Sequence, residues 1–397
     1  MLRNLKKKRA KSSVVSIALM LFASHAGGGF ASGNQVNTWF VGLGSMGILS
    51  SIIAVLILCF MLRQAFIMYN REGHESYKDF FKSLYSPFDK LYLVFELFFN
   101  IMVVMVIATT ISGASNALLD FVGINYRLAS ILVSLLILIL SIFGADLVRR
   151  LSAVMGIIIL ISSLSIYLIG ITMGDNIFEL ISYDLAVHGY KNLGPAVVNG
   201  FVYAGFQCVQ IPAMLAVSSS LKTKDEASRS MALSFAINAL ALGLSVVMLL
   251  SWRSYYMSVD FGTTLPTLTA TKAMGYKWMS IFYALSLILC LISSGVSIIF
   301  GFVSRFENTE ILCDIGSVKV RRFLIAAFII AVSTLISFFG LTNIIKYGYG
   351  YCGYIAIIFI IIPIIVIGEY RNRKVDTNNY AVEFAYVEKK ESEENEI

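Results

Sequence analysis

Apolar runs long enough to cross a membrane follow one another along this chain, and the charged residues lie mostly in the links between them. Hydrocarbon offers no partner to a backbone N–H or C=O, so each run must satisfy those groups within itself and is expected to be an α-helix. Hydropathy and helix breakers divide the chain into ten spans: Ser13–Val41, Ser45–Met68, Phe88–Ser112, Arg127–Gly144, Leu151–Met173, Pro195–Ser218, Ala227–Trp252, Trp278–Val303, Phe323–Gly340 and Tyr347–Gly368. The expected fold class is an all-α membrane protein with ten transmembrane helices. A hydrophobic fraction of 58% exceeds what a soluble domain carries, and a charged fraction of 14% falls well below it.

With the N-terminus inside, only Arg127, Lys191, Arg253, Lys272, Lys277 and Lys346 of the 31 Lys and Arg fall on the outer side. Cytoplasmic loops concentrate basic residues, so both termini are expected in the cytoplasm and the net charge of +7 requires no nucleic-acid partner. A cleaved signal peptide is the alternative for the first residues, and it would remove the first span. Trp39, Trp252 and Trp278 fall at outer span ends, where an amphipathic ring prefers the interface. Cys59, Cys208, Cys290 and Cys352 lie in apolar segments and Cys313 in a cytoplasmic loop, which suggests buried thiols and neither a disulfide framework nor a metal site. Residues 1–12 form a basic N-terminal segment, and 369–397 an acidic tail expected to be solvated and disordered.

The first span is interrupted by Ala26-Gly27-Gly28-Gly29-Phe30-Ala31-Ser32-Gly33. Each glycine weakens a helix by about 1 kcal/mol relative to alanine, so four in so short a stretch should unwind the span locally. A broken helix at membrane depth is tolerated where it is buried in protein or lines a wet cavity, and its freed groups then become ligands for ions and polar solutes. Close helix packing through small residues is the competing reading. The sixth span carries a second interruption at Tyr203-Ala204-Gly205-Phe206-Gln207, with Pro212 beyond it. Five spans is an odd number, so a second set of five enters the membrane upside down relative to the first. The expected architecture is a 5+5 inverted repeat, 13–173 and 195–368, with helices 1 and 6 broken at the same depth.

The run Gly27-Gly28-Gly29-Phe30-Ala31-Ser32-Gly33-Asn34-Gln35, followed by Trp39-Phe40, resembles the GAGFASGQE…FF signature of YkvI-like proteins, an amino-acid permease family of the APC superfamily. That resemblance implies the LeuT fold over about residues 13–368 and a bacterial plasma-membrane protein. Three positions depart from the pattern: Gln35 stands near the family's Glu, Gly28 is the middle small residue, and Gln207 replaces the asparagine expected in span six. A proton carrier at that Glu is therefore not available here in the same form.

The resemblance gives Gly27, Gly28 and Gly29 the substrate carboxylate, which agrees with the free N–H groups and positive dipole end of a half-helix. Phe30 belongs to the same stretch. Tyr203, Phe206 and Gln207 would supply an aromatic wall and amide contacts, or simply core packing. Cys290, Ser293 and Ser294 share one face of span eight. The LeuT fold's second sodium site uses that spacing, with two carbonyls that align with Ala23 and Ala26. Serines that bond their own helix are the alternative. His25 and Glu96 are ionisable residues inside spans, and Glu96 with Asn100 makes a polar stripe at i, i+4; these three are proton or polar-path candidates.

Two connections are long. Glu75–Tyr85 is expected to lie along the membrane surface as an amphipathic helix, and Arg253–Lys277 to form a lid over an outer vestibule. No HExxH, GxSxG or paired-carboxylate constellation occurs in the spans, which argues against an enzyme. The expected function is secondary transport of amino acids or related small zwitterions by alternating access, coupled to sodium, with the lipid bilayer as the other partner. A proton-coupled permease and a ligand-sensing receptor of the same fold are the rivals.

Overall fold

The computed structural model describes residues 2–25, 27–143, 145–307 and 317–373. Ala26, Cys313 and residues 374–397 of the expected tail lie outside the described residues. Each apolar stretch read from the sequence is helical. Among the described residues, seven helices are long and apolar enough to cross a membrane, and a bent pair makes an eighth if counted as one span; Ser13–His25 and Tyr126–Ile142 are shorter apolar helices. The protein is an all-helical integral membrane protein.

The first span consists of α1 (Leu2–His25), a turn at Gly27, the four-residue α2 (Gly28–Ala31) and α3 (Asn34–Trp39). Gly33 adopts φ 80°, a left-handed conformation that glycine enters without penalty, and this turns the chain from α2 into α3. α4 (Met46–Arg71) follows, then the short α5 (Tyr77–Tyr85), α6 (Tyr92–Val122), α7 (Tyr126–Phe143) and α8 (Ala145–Met173). α9 (Ile177–His188) leaves α8 at 73°, capped by the Asn176 side chain, which accepts from Phe178 N at 3.1 Å.

The sixth span is α10 (Leu193–Gln207), a tight turn over Cys208–Gln210, and α11 (Ile211–Ser218). The second interruption thus falls after Gln207, about one turn later than the sequence suggested. Pro212 accounts for the shift: it has no N–H to give the carbonyl of Cys208 four residues earlier, so the ladder fails there. Gly205 serves close packing instead, because a Cβ on it would overlap the backbone of Gly353. α12 (Lys224–Ser251) starts on a capping box in which Thr223 accepts from Glu226 N at 3.1 Å and Glu226 accepts from Lys222 N at 2.7 Å. After α13 (Arg253–Ser258) and α14 (Pro266–Ala273) come α15 (Lys277–Phe306), α16 (Val318–Ser337) and α17 (Leu341–Arg373). Wider π-type turns flank Pro363 in α17, where the same missing donor disturbs the ladder.

The helices pack in two groups. α4 lies against α10 and α12, and α12 carries α1; α6 lies against α7, α15 and α16, and α7 touches α15 and α16. α8 joins the groups by packing on α15 and α12, and α17 joins them by packing on α10, α6 and α4. The four cysteines Cys59, Cys208, Cys290 and Cys352 are buried free thiols.

Three expectations need correction. α5 does not lay its apolar side on the membrane: Phe80, Phe81 and Leu84 are fully buried, Phe81 stacks on Phe95 of α6 at 3.9 Å, and Tyr85 OH donates to the carbonyl of Phe359. Its apolar face is used up against protein. Trp39 is not an interface anchor but a core residue, packed on Phe206 at 5.9 Å and on Gly350. Glu96 is not at membrane mid-depth, since α6 extends to Val122 and Glu96 sits in its first two turns. Arg305 pairs with it at 2.6 Å and Tyr77 OH donates to it at 2.7 Å. That ion pair ties α5, α6 and α15 together, while the Asn100 amide oxygen one turn on is buried and unpartnered.

Candidate functional site

The break in the first span lies at the centre of the packing, and its backbone makes only partial use of itself. Phe30 N and Ala31 N both donate to Gly27 O, at 3.0 and 3.2 Å, and Gly33 N donates to Phe30 O at 2.9 Å. Ser32 Oγ donates to Gly29 O at 3.0 Å, and Tyr283 OH from α15 donates to Ala31 O. Gly28 and Gly29 open the short helix α2, so their N–H groups have no carbonyl one turn back within it.

A polar chain crosses this break. Asn238 of α12 gives its amide N–H to Ser234 O at 2.8 Å, so its oxygen accepts from His25 Nδ1 at 2.7 Å. On the other side of the ring, His25 Nε2 lies 2.8 Å from Tyr203 OH, and Tyr203 OH lies 3.2 Å from Gln35 Oε1. His25 is 3% exposed and also stacks on Phe30 at 5.4 Å. The sequence singled out His25 and Tyr203, and marked Gln35 only as the residue near the Glu of the resembling family; Asn238 is marked by nothing but its tertiary position. The Gln35 amide rests on Gly29 so closely that a Cβ there would overlap it.

Phe206 belongs to the same aromatic cluster, 4.8 Å from Tyr203 and 5.1 Å from Tyr349. Gln207, one turn after Tyr203 on α10, accepts from the Gln210 amide across the second break and lies within reach of the Tyr203 hydroxyl. Tyr203, Phe206 and Gln207 are all buried on the last turns of α10; the first two lie at the first break, and Gln207 lies between Tyr203 and the second.

The ion-site candidates meet in part. α2 packs on α15, and a Cβ built on Gly27 would be 3.9 Å from Ser294 Oγ. Ser293 Oγ donates to Cys290 O at 3.0 Å, so two of the candidate ligands currently bond each other. Ala23 is exposed on α1, and Ala26 lies outside the described residues.

The two sides of the break differ. On the side assigned as outer, Asn34 Nδ2 faces Thr342 Oγ1 at 2.8 Å, Thr264 O at 3.0 Å and Thr263 O at 3.2 Å, and Tyr256 OH donates to Asn37 Oδ1 at 2.8 Å. The Arg253–Lys277 connection is therefore seated directly on the break, with Gly33 against Thr267. On the opposite side, α1 presents an exposed stripe of Val15, Ser16, Leu19, Met20, Ala23 and Ser24 that reaches almost to Gly27. An open surface recess of about 440 Å³ lies there between Ser13, Ser16, Ile17 and Met20 of α1 and Val217, Ser219 and Ser220 at the end of α11.

No family model matches the sequence, and no curated protein matches it. Among solved structures, a Na+-coupled sialic acid symporter in a substrate-bound outward-open state is similar at TM-score 0.55 and 14% identity, over 92% of this chain and 97% of that one. The manganese transporter of Eremococcus coleocola is similar at TM-score 0.52 and 14% identity, over 96% of this chain and 92% of that one. The chain shares the fold of these two transporters; an identity this low says nothing about what it binds.

Proposed function

We propose that the protein is a sodium-coupled secondary transporter of amino acids or related small zwitterions, working by alternating access in a ten-span, 5+5 inverted-repeat (LeuT-like) frame. The observation that carries this reading is the joining of the two interrupted helices: the polar chain at the first break passes through Tyr203, in the last turns before the second. The packing also repeats after five spans. α1 lies on α12 as α10 lies on α4, α6 on α16 as α15 on α7, and α15 on α8 as α6 on α17. Both similar solved structures are transporters, one of them Na+-coupled.

In this reading the N–H groups of Gly28 and Gly29, at the start of α2, receive a carboxylate. Phe30, Tyr203 and Phe206 wall the site, and Gly27 borders the sodium site of Ala23, Ala26, Cys290, Ser293 and Ser294. Sodium would replace the Ser293–Cys290 hydrogen bond with ligation. The seated lid and the cleft beside α1 correspond to a form closed on the outside and open to the cytoplasm, where both termini lie.

The test is uptake of labelled amino acids by proteoliposomes under an imposed sodium or pH gradient. Uptake driven by sodium at fixed pH is expected. Ligand binding without flux would make the protein a receptor, and uptake that follows pH in sodium-free buffer would reassign coupling to protons.

A further inference from the structure

Three tyrosines surround the break, from α8, α10 and α15. Tyr203 and Tyr283 are both hydrogen-bonded, to the polar chain and to Ala31 O. Tyr167 is not. It is fully buried, its ring meets Phe30 edge-on at 6.5 Å, and its hydroxyl has no hydrogen-bond partner among the described residues. Ser245 of α12 is likewise fully buried with an unpartnered hydroxyl. Ser163, one turn before Tyr167 on α8, and Ser245 both adjoin the Tyr167 phenol, yet neither Tyr167 nor Ser245 completes a bond at proper geometry.

Other polar side chains of this seam are bonded among the described residues. Trp252 Nε1 donates to Gly170 O at 2.9 Å, joining α12 to α8, and Asn238, two turns before Ser245, has both its oxygen and its nitrogen engaged. Serine and tyrosine kept as glue between helices would bond each other in the same way. A buried hydroxyl left unpaired loses its bonds to water and gains none, so two side by side next to the break call for a partner that arrives later. One turn outward, Met248 and Met274 press on Gly170, and these unbranched side chains can shift to admit a group of varying size.

We propose that Tyr167 and Ser245, flanked by Ser163, form a subsite for the side chain of the transported amino acid and select a short chain carrying a hydroxyl or amide. This rests on the amino-acid reading above and adds the substrate class to it. The carboxylate end would lie at Gly28 and Gly29, and the side chain would pass Phe30 towards α8 and α12.

The probes are L-threonine and L-valine, which match in shape and differ by one hydroxyl. Wild-type protein in detergent, titrated with each, is expected to bind threonine at least tenfold more tightly. Tyr167→Phe with Ser245→Ala should lower that preference to about twofold or less by weakening threonine, with valine affinity unchanged. Should the double variant fail to fold, Tyr167→Phe alone is read by the same ratio. A wild type that binds valine as well as threonine, or a ratio unmoved by the substitutions, overturns the subsite while leaving amino-acid transport intact. If none of the twenty amino acids binds the wild type, the amino-acid reading itself is wrong and the subsite's ligand class falls with it.

Discussion

Gln35 shows how one side chain decides what a backbone can do. Its amide, held by Tyr203 OH, covers Gly29, so the break is shielded by the chain's own polar group until something displaces it. Glycine is required at that position by close approach. Gly29→Ala should therefore lower stability by about 1–3 kcal/mol, the usual cost of overpacking, and Gln35→Ala in the same chain should recover most of that loss because it removes the overlapping atoms. Thermal unfolding of the two single variants and the double variant in detergent measures the coupling. Additive losses would mean that the two residues do not meet. His25, which the sequence left open between proton carrier and structural residue, has partners on both ring nitrogens, and Glu96 has become half of an ion pair with Arg305.

At the level of elements, the lid is attached to the break chiefly through Asn34. One buried amide faces two carbonyls of the outer connection and the hydroxyl of Thr342. Asn34→Ala removes all three contacts at once, so amides of α14 (Pro266–Ala273) should exchange with solvent about tenfold faster or more, while those of α4 keep their wild-type rates. Hydrogen exchange read by mass spectrometry checks this, and unchanged α14 exchange would show that the lid is held elsewhere. At the far end of α4, Glu72 anchors the link to α5. Burial by itself would raise its carboxyl pKa, but hydrogen bonds from His74, Ser83 and Arg71, together with the Arg71 charge, outweigh it and bring the group from 4.5 down to about 2. A lowered carboxyl contributes stability that is complete above its unfolded value and is lost as pH falls towards the folded one. Wild-type melting temperature should accordingly drop between about pH 4.5 and 2 more steeply than that of Glu72→Gln, as thermal scans across that range would record.

For the molecule as a whole, the proposed sodium site makes a linkage prediction. Ser293 and Ser294 stand on α15, and Gly27 borders them from the broken span, so an ion bound there would favour one arrangement of the two helices. Sodium should raise substrate affinity and substrate should raise sodium affinity by the same factor, about 5- to 150-fold for ordinary coupling. Ser293→Ala with Ser294→Ala should abolish both effects. Paired titrations by calorimetry measure the two factors; unequal factors, or coupling that survives the double variant, would remove the ion from this site.

The sequence by itself determined what depends on local chemistry. Apolar run length accounts for helices that cross lipid and glycine density for the first break, because each of these is settled within a few residues. Pro212 was legible as a breaker, but its effect falls on a carbonyl four residues earlier, which displaced the second break past Gln207. Tertiary structure alone decided who meets whom. Asn238 became a partner of the break from a helix far away in the chain, Gln35 of the first span met Tyr203 of the sixth, Trp39 was drawn from the expected interface into the core, and the apolar face of α5 was taken up by α6 rather than by lipid. Within a run of uniformly apolar residues there is no local signal for which face will meet protein and which will meet lipid, since both surroundings satisfy the same side chains; the choice is made by how the helices pack.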